Sequence, residues 1–71
     1  MEITYDKEAD AMYIRFRNGK FSKNKVIDRQ TIIDFDKEGN MIGIEILRVS
    51  KRVPLKSLSE ISVKNLIKIS A

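Results

Sequence analysis

The residues best placed to do chemistry form one acidic string. Asp34, Asp36, Glu38 and Glu45, with Gly39 among them, follow the spacing of a calcium-binding helix–loop–helix, with carboxylates at loop positions 1, 3, 5 and 12 and glycine at 6. Such a loop needs its carboxylates to converge on one ion and a helix on either side. The flanks alternate instead: Ile33 and Phe35 precede the turn, and Ile42, Ile44 and Ile46 follow it, which is the period of a strand. In an extended chain Glu45 stands about 15 Å or more from the turn, at about 3.3 Å per residue. The string therefore predicts a hairpin in which Gly39 or Asn40 takes a left-handed position. No metal and no cofactor is expected.

A second acidic group, Asp6, Glu8 and Asp10, lies close in sequence to Arg15 and Arg17. Paired carboxylates can do acid–base work or hold magnesium, but a solvated loop whose charges balance those arginines is the expectation. The six serines and two threonines have no histidine to activate them, and no Gly-x-Ser-x-Gly elbow is present. Without cysteine there is neither a thiolate nor a disulfide. The inventory predicts no enzyme and no catalytic residue.

Basic residues carry the stronger lead. The net charge is +4, and the excess sits in two places, the segment from Lys20 to Arg29 and the tail after Ser50. Candidate contacts to a partner or a nucleic acid are Lys23, Lys25 and Arg29 in the first group, and Arg48, Lys51, Arg52 and Lys56 in the second. If both groups lie on one side they would bind phosphates, with affinity falling steeply in salt. No nucleic-acid-binding motif accompanies them.

These residues need elements to position them. Residues 1–6 read as a short strand, with Ile3 and Tyr5 on one face. Residues 11–17 alternate, with Met12, Ile14 and Phe16 opposed to Tyr13, Arg15 and Arg17. Asn18-Gly19 ends that strand, since both residues tolerate a positive φ. Residues 26–28 read as a brief edge strand whose neighbouring lysines discourage pairing. Residues 31–35 and 41–47 form the clearest hairpin. The two hairpins resemble each other: the stretch from Ile3 to Phe16 lines up with that from Ile33 to Ile46 once a gap is allowed in the turn, Tyr5-Asp6-Lys7-Glu8 matching Phe35-Asp36-Lys37-Glu38. After Pro54, Leu55, Leu58, Ile61, Leu66 and Ile69 share one broad helical stripe, with Val63 and Ile67 outside it, so a C-terminal helix is expected to cover the sheet's apolar side, with a final strand over residues 61–70 as the alternative.

The pattern Ile3-x-Tyr5-Asp6-x3-Asp10-Ala11-x-Tyr13-Ile14, followed by Ile33-Asp34-Phe35-Asp36-x2-Gly39 and Ile42-Gly43-Ile44-Glu45-Ile46-Leu47-x2-Ser50-Lys51, resembles the small prokaryotic family called domain of unknown function 2283. The resemblance covers residues 1–53 and implies a small sheet-based domain with no established activity. Proteins of this size and kind are often suspected to be antitoxin-like partners of small toxins, which makes that role an analogy for this chain. The basic segment from Lys20 to Arg29 and the extension over residues 53–71 depart from the family's pattern.

A chain of 71 residues allows one domain, read as a sheet region over 1–53 and a helical extension over 54–71. The expected class is α+β: a mainly antiparallel sheet of four to five strands built from two similar hairpins, with the C-terminal helix packed on one face. A domain this small buries only about 60% of its unfolded surface, so a homodimer or a small protein partner is expected. No stretch approaches the roughly 20 apolar residues that span a bilayer, which suggests a cytoplasmic protein. The expected function is a non-catalytic protein-interaction module, antitoxin-like in kind. Nucleic-acid binding through the basic segments is the alternative.

Overall fold

The computed structural model describes residues 1–65. It holds one five-stranded antiparallel sheet: β1 (Glu2–Asp6), β2 (Ala11–Arg15), β3 (Lys23–Asp28), β4 (Thr31–Phe35) and β5 (Met41–Leu47), in the order β1-β2-β5-β4-β3. A 3₁₀ turn over Val49–Lys51 and a short helix α1 (Leu55–Leu58) follow. The class expected from the sequence is seen in outline, as an antiparallel sheet with a short helix.

Each of the two similar hairpins is closed by an aspartate at its first turn position. The Asp6 Oδ1 atom accepts the backbone N–H groups of Glu8 and Ala9 at 3.0 and 3.1 Å. Asp36 Oδ1 does the same for Glu38 and Asn40, at 3.0 and 2.8 Å. Short acidic side chains favour turns for this reason, because they satisfy amides that the reversal would leave unpaired. Gly39, at φ 86°, takes the left-handed position of the second turn.

The likeness of the two hairpins holds along their strands and breaks at the turn, where Tyr5 faces Met12 in the first, while Phe35 faces Met41 in the second after a register irregularity between Asp34 and Phe35. Ile14 and Ile44, thirty positions apart, face each other across β2 and β5. Ile3 stands opposite Ile14 in the first hairpin, as Ile33 stands opposite Ile44 in the second. An approximate two-fold axis perpendicular to the sheet thus passes between Ile14 and Ile44. The register also draws one row across all five strands: Ile3, Ile14, Ile44, Ile33 and, on edge strand β3, Lys25. Tyr5, Met12, Ile46 and Thr31 make the next row on this same isoleucine side. The other side carries Thr4, Tyr13, Glu45, Ile32 and Val26 in one row, and Glu2, Arg15, Gly43, Asp34 and Asn24 in another.

Three expectations need correction. The edge strand before Asp28 runs the full length of Lys23–Asp28 rather than three residues, and it joins β4 through a third hairpin. That hairpin turns in two residues, Arg29 and Gln30, with Asp28 Oδ1 accepting the Gln30 N–H at 2.8 Å. Asn18 and Gly19 do end β2, but neither adopts a positive φ. Gly19 is required by close approach: a Cβ there would sit 2.7 Å from Ile42 Cγ2. Finally, α1 is four residues long, with none of them buried, and residues 59–65 are not helical. Ser59 Oγ donates to the Lys56 carbonyl at 2.7 Å and closes the helix early, and a helix this short gains little stability by itself. The remainder of the expected helix, residues 66–71, lies outside the described residues.

Burial is thin for a folded domain. Among the described residues only Ile42, at 5% exposure, and Val49, at 1%, are buried hydrophobics. Burying one valine contributes about 1.5–3 kcal/mol, so Val49 anchors the segment after β5 more firmly than its place in a basic stretch suggests.

Candidate functional site

The chemistry-bearing residues meet at one end of the sheet, where the chain leaves β5 and crosses beneath two turns. Leu47 N–H donates to the Gln30 carbonyl at 2.7 Å, tying the end of β5 to the β3–β4 turn. Arg48 then reverses the chain in the left-handed conformation, φ 49° and ψ 46°. This is an unusual state for a long side chain, and the surrounding contacts must hold it. Val49 N–H donates to the Asp10 carbonyl at 3.0 Å.

Asp10 is the hub of this crossing. It also adopts a positive φ, 51°, which aspartate tolerates better than most residues. Its Oδ1 accepts the Tyr5 hydroxyl at 2.9 Å and the Ser50 N–H at 3.1 Å, while Oδ2 accepts the Ser50 hydroxyl at 2.6 Å. The Ser50 hydroxyl bond is the main reason that the Asp10 carboxyl titrates below the ordinary aspartate value, with Lys51 nearby adding to the effect. The Tyr5 hydroxyl is pushed above its ordinary value, by burial first and by Asp10 next. A carboxylate held in this way is a weak base toward Ser50. The geometry suits anchoring rather than activation of the hydroxyl.

On the far side of the crossing, arginines gather at the β3–β4 turn. Arg48 Nη2 reaches the Arg29 carbonyl at 3.5 Å. Arg52 reaches Thr31 Oγ1 and Asp28 Oδ2, each at 3.4 Å. The Asp28 carboxyl sits below its ordinary value, chiefly through the Gln30 N–H, with Arg52 a smaller cause.

The candidate contact residues are thus only partly assembled. Arg29, Arg48, Lys51 and Arg52 share the end of the sheet. Lys23 and Lys25 lie along β3, opposite Phe35 and Ile33. Lys25 is four residues from Arg29, about 13 Å along an extended chain. Lys56 is on α1, its carbonyl taken by Ser59. A phosphate bound at the end cluster would meet at most a few of the seven residues at once.

The acidic strings also resolve. Asp36 commits both carboxylate oxygens to its own turn, accepting Asn40 Nδ2 at 3.0 Å as well as the two amides. Glu45 pairs with Ile32 inside the sheet. The expected balance of the first acidic loop by Arg15 and Arg17 is not what the structure shows. Arg15 approaches Glu2 at 4.0 Å, Arg17 lies near Asp36, and Asp10 is engaged by Ser50. Composition gives no hint of the Tyr5–Asp10–Ser50 network, because Asp10 and Ser50 stand 40 positions apart. The signal that did exist was the recurring pattern of the family resemblance, in which all three residues stand.

Comparison with known proteins follows the same boundary. The family described as "Protein of unknown function (DUF2283)" matches residues 2–50, ending at the serine that Asp10 holds. An uncharacterized protein of Methanocaldococcus jannaschii, MJ0789, is 37% identical over 71 residues, covering 100% of this chain and 59% of that protein. The chain therefore spans well under two thirds of the relative's length. No solved structure matches.

Proposed function

The chain belongs to the DUF2283 family, and from that premise we propose that it is a non-catalytic protein-interaction module, antitoxin-like in kind. The observation that carries this reading is the sheet's shortage of cover. Among the described residues two hydrophobic side chains are buried, while Ile3, Phe21, Val26, Ile27, Met41, Leu55, Ile61 and Val63 are each more than a third exposed. Large apolar side chains left in water at this density favour a partner's surface. In this reading a second copy or a small protein supplies the missing layer, and residues 55–65 pack on the sheet in the assembled state.

The test is purification of the full chain with its mass measured in solution, together with capture from its own lysate. A persistent monomer that captures nothing would remove the reading's support. Among the described residues no helix is long and apolar enough to cross a membrane.

A second reading rests on a separate observation: Arg48 and Arg52 reach the β3–β4 turn that carries Arg29, and Lys51 lies beside Asp10 at the same end of the sheet. These cations, of which Arg52 is already paired with Asp28, would bind a nucleic-acid backbone through phosphate contacts, with the logarithm of affinity falling linearly in the logarithm of salt. A gel-shift titration at low and high salt decides it. Absence of binding at low salt removes this alternative.

A further inference from the structure

Of the two tyrosines and three phenylalanines, Phe21 alone is exposed, at 55%, and the other four are half-buried. It belongs to the segment that carries the chain from β2 to β3 past the ends of β5 and β4. That segment is tied down on both sides of the ring. Phe16 N–H donates to the Ile42 carbonyl at 2.9 Å, and Ser22 N–H donates to the Phe35 carbonyl at 2.9 Å. Between these ties Gly19 lies against Ile42. An aromatic ring kept in water on a fixed backbone is a contact surface for a flat partner.

Two clefts flank this ring, and their charges differ. One, of about 300 Å³, is lined by Phe21, Tyr13, Arg15, Arg17 and Asn18, with no carboxylate among its described lining residues. The other holds Lys20 and Lys37 but also Asp36 and Glu38, so its charges offset. Tyr13 is a fixed wall of the first cleft: its ring fills the space that Gly43 leaves, and its hydroxyl donates to Asp34. The two arginines are lightly engaged. Arg15 stands 4.0 Å from Glu2 with both side chains more than half exposed, a pairing that contributes little. Arg17 acts on Asp36 through its charge, while the Asp36 oxygens are taken by their own turn. Asn18 adds an amide that both donates and accepts.

We propose that this cleft binds a nucleoside phosphate unit, with the phosphate on Arg15 and Arg17 and the base stacked on Phe21. Guanidinium groups match phosphate oxygens two at a time, and any base presents a face that stacks on an exposed ring. A cleft of about 300 Å³ is at the small end of ligand sites, which suits one nucleotide at a time. A neighbouring concavity of about 350 Å³ shares Arg15, Arg17 and Asn18, so a longer strand has room to run on past the arginines. The unit is thus a free nucleotide or one link of a single strand. The site does not depend on the interaction-module reading, and it is distinct from the arginine cluster beside Asp10. Arg15 stands opposite Gly43, four residues before Leu47, where the chain enters that cluster.

The chain has no tryptophan, so Phe21→Trp puts a single fluorophore in the cleft and keeps a ring there. Its emission is expected to quench saturably at low salt with adenosine triphosphate or with an oligothymidylate of about ten nucleotides. Saturation at the lower concentration of triphosphate assigns a free nucleotide, and at the lower concentration of oligonucleotide a single strand. The tighter probe, fluorescently labelled, is then titrated against the full chain and its variants by anisotropy, with circular dichroism checking that each variant folds. Phe21→Leu, which keeps apolar bulk without a ring, is expected to weaken binding by about tenfold. Arg17→Gln is expected to weaken it similarly and, for the oligonucleotide, to flatten the log–log salt dependence by about 0.7. Lys7→Gln, the same charge change in the first turn, is expected to stay within about twofold. Absence of quenching and of binding by both probes at low salt overturns the proposal. Full affinity in Phe21→Leu overturns it too, as does a loss confined to Lys51→Gln, which would place the binding at the arginine cluster instead.

Discussion

The β1–β2 and β4–β5 hairpins are built on one plan, yet they do different jobs. Both begin their turn with an aspartate that accepts two backbone amides, and both place an isoleucine beside the two-fold axis between Ile14 and Ile44. The second turn is closed on itself: Asp36 and Asn40 bond each other through side chain and backbone. In the first turn the position equivalent to Asn40 is Asp10, and its carboxylate reaches away from the turn to Tyr5 and Ser50. One change of residue type thus separates a self-contained reversal from an anchor for the chain after β5. A similar difference sits on the inner strands. Tyr13 of β2 corresponds to Gly43 of β5, and the tyrosine ring occupies the space that the glycine leaves. The repeated plan supplies the sheet, and its departures supply what is particular to this protein.

The largest expected effect comes from closing the gap that Gly43 leaves. A Cβ at that position would overlap the Tyr13 hydroxyl and stand 2.5 Å from Tyr13 Cζ and 2.9 Å from the Ile14 carbonyl oxygen. Gly43→Ala should cost about 2–3 kcal/mol, as overpacking a close contact does, read as a fall in Tm. Adding Tyr13→Ala to it should recover a good part of that loss, giving a coupling that single variants would not predict. Simple additivity of the two changes would mean that the Ile14 carbonyl, not the ring, is the obstacle, and the asymmetry of the hairpins would then lie in the backbone.

Next comes the anchor. Asp10→Ala should raise amide hydrogen exchange first at Ser50, whose N–H bonds the lost carboxylate, and less at Val49, whose N–H bonds the retained Asp10 carbonyl, while Asn40→Ala should raise it only within its own turn. Acid sharpens the contrast. Asp10 and Asp36 both titrate below the ordinary aspartate value of 3.8 in the folded chain, Asp10 chiefly through the Ser50 hydroxyl and Asp36 chiefly through the Asn40 N–H. A depressed carboxyl stabilises the fold above its unfolded pKa, and this contribution is lost as pH falls from 3.8 through the lower folded value. Protection at residues 49–53 should therefore fade over that window in the native chain. In Asp10→Asn it should be reduced at neutral pH and show less change on acidification. Unchanged acid sensitivity in that variant would move the anchor to another group.

How much of this was legible in the sequence follows the same division. Alternation of Met12 and Ile14, and of Ile42, Ile44 and Ile46, marked the inner strands because period-two patterning records a half-buried sheet directly. The matching Asp-Lys-Glu turns were legible for an equally local reason, since each aspartate bonds residues within four positions. The third hairpin was missed because β3 is exposed along its whole length and an edge strand with no buried face leaves no alternation to read. Arg29-Gln30 is not a typical turn pair either, and it is Asp28 that makes the turn work. The Asp10 anchor is hidden by distance along the chain, and in the bare sequence Asp10 reads as one more member of a solvated acidic loop. Of the seven basic candidates, the end cluster was beyond prediction, because its assembly depends on the left-handed turn at Arg48, a conformation that arginine does not advertise.

The smallest expected effect isolates the turns themselves. Gly39 sits at φ 86°, and a Cβ added there would meet nothing within 4 Å, so Gly39→Ala should cost about 1 kcal/mol from backbone strain alone, without a clash. Ala9 is its counterpart in the first hairpin, where the left-handed role has passed one residue on, to Asp10. Ala9→Gly should therefore cost only the added freedom of the unfolded chain, about 0.5 kcal/mol or slightly more. Denaturant midpoints at constant m-value separate the two. If Ala9→Gly proved as costly as Gly39→Ala, the first turn would depend on rigidity at residue 9 and not on its anchor, because a turn held by Asp10 through Tyr5 and Ser50 has little need of a stiff neighbour.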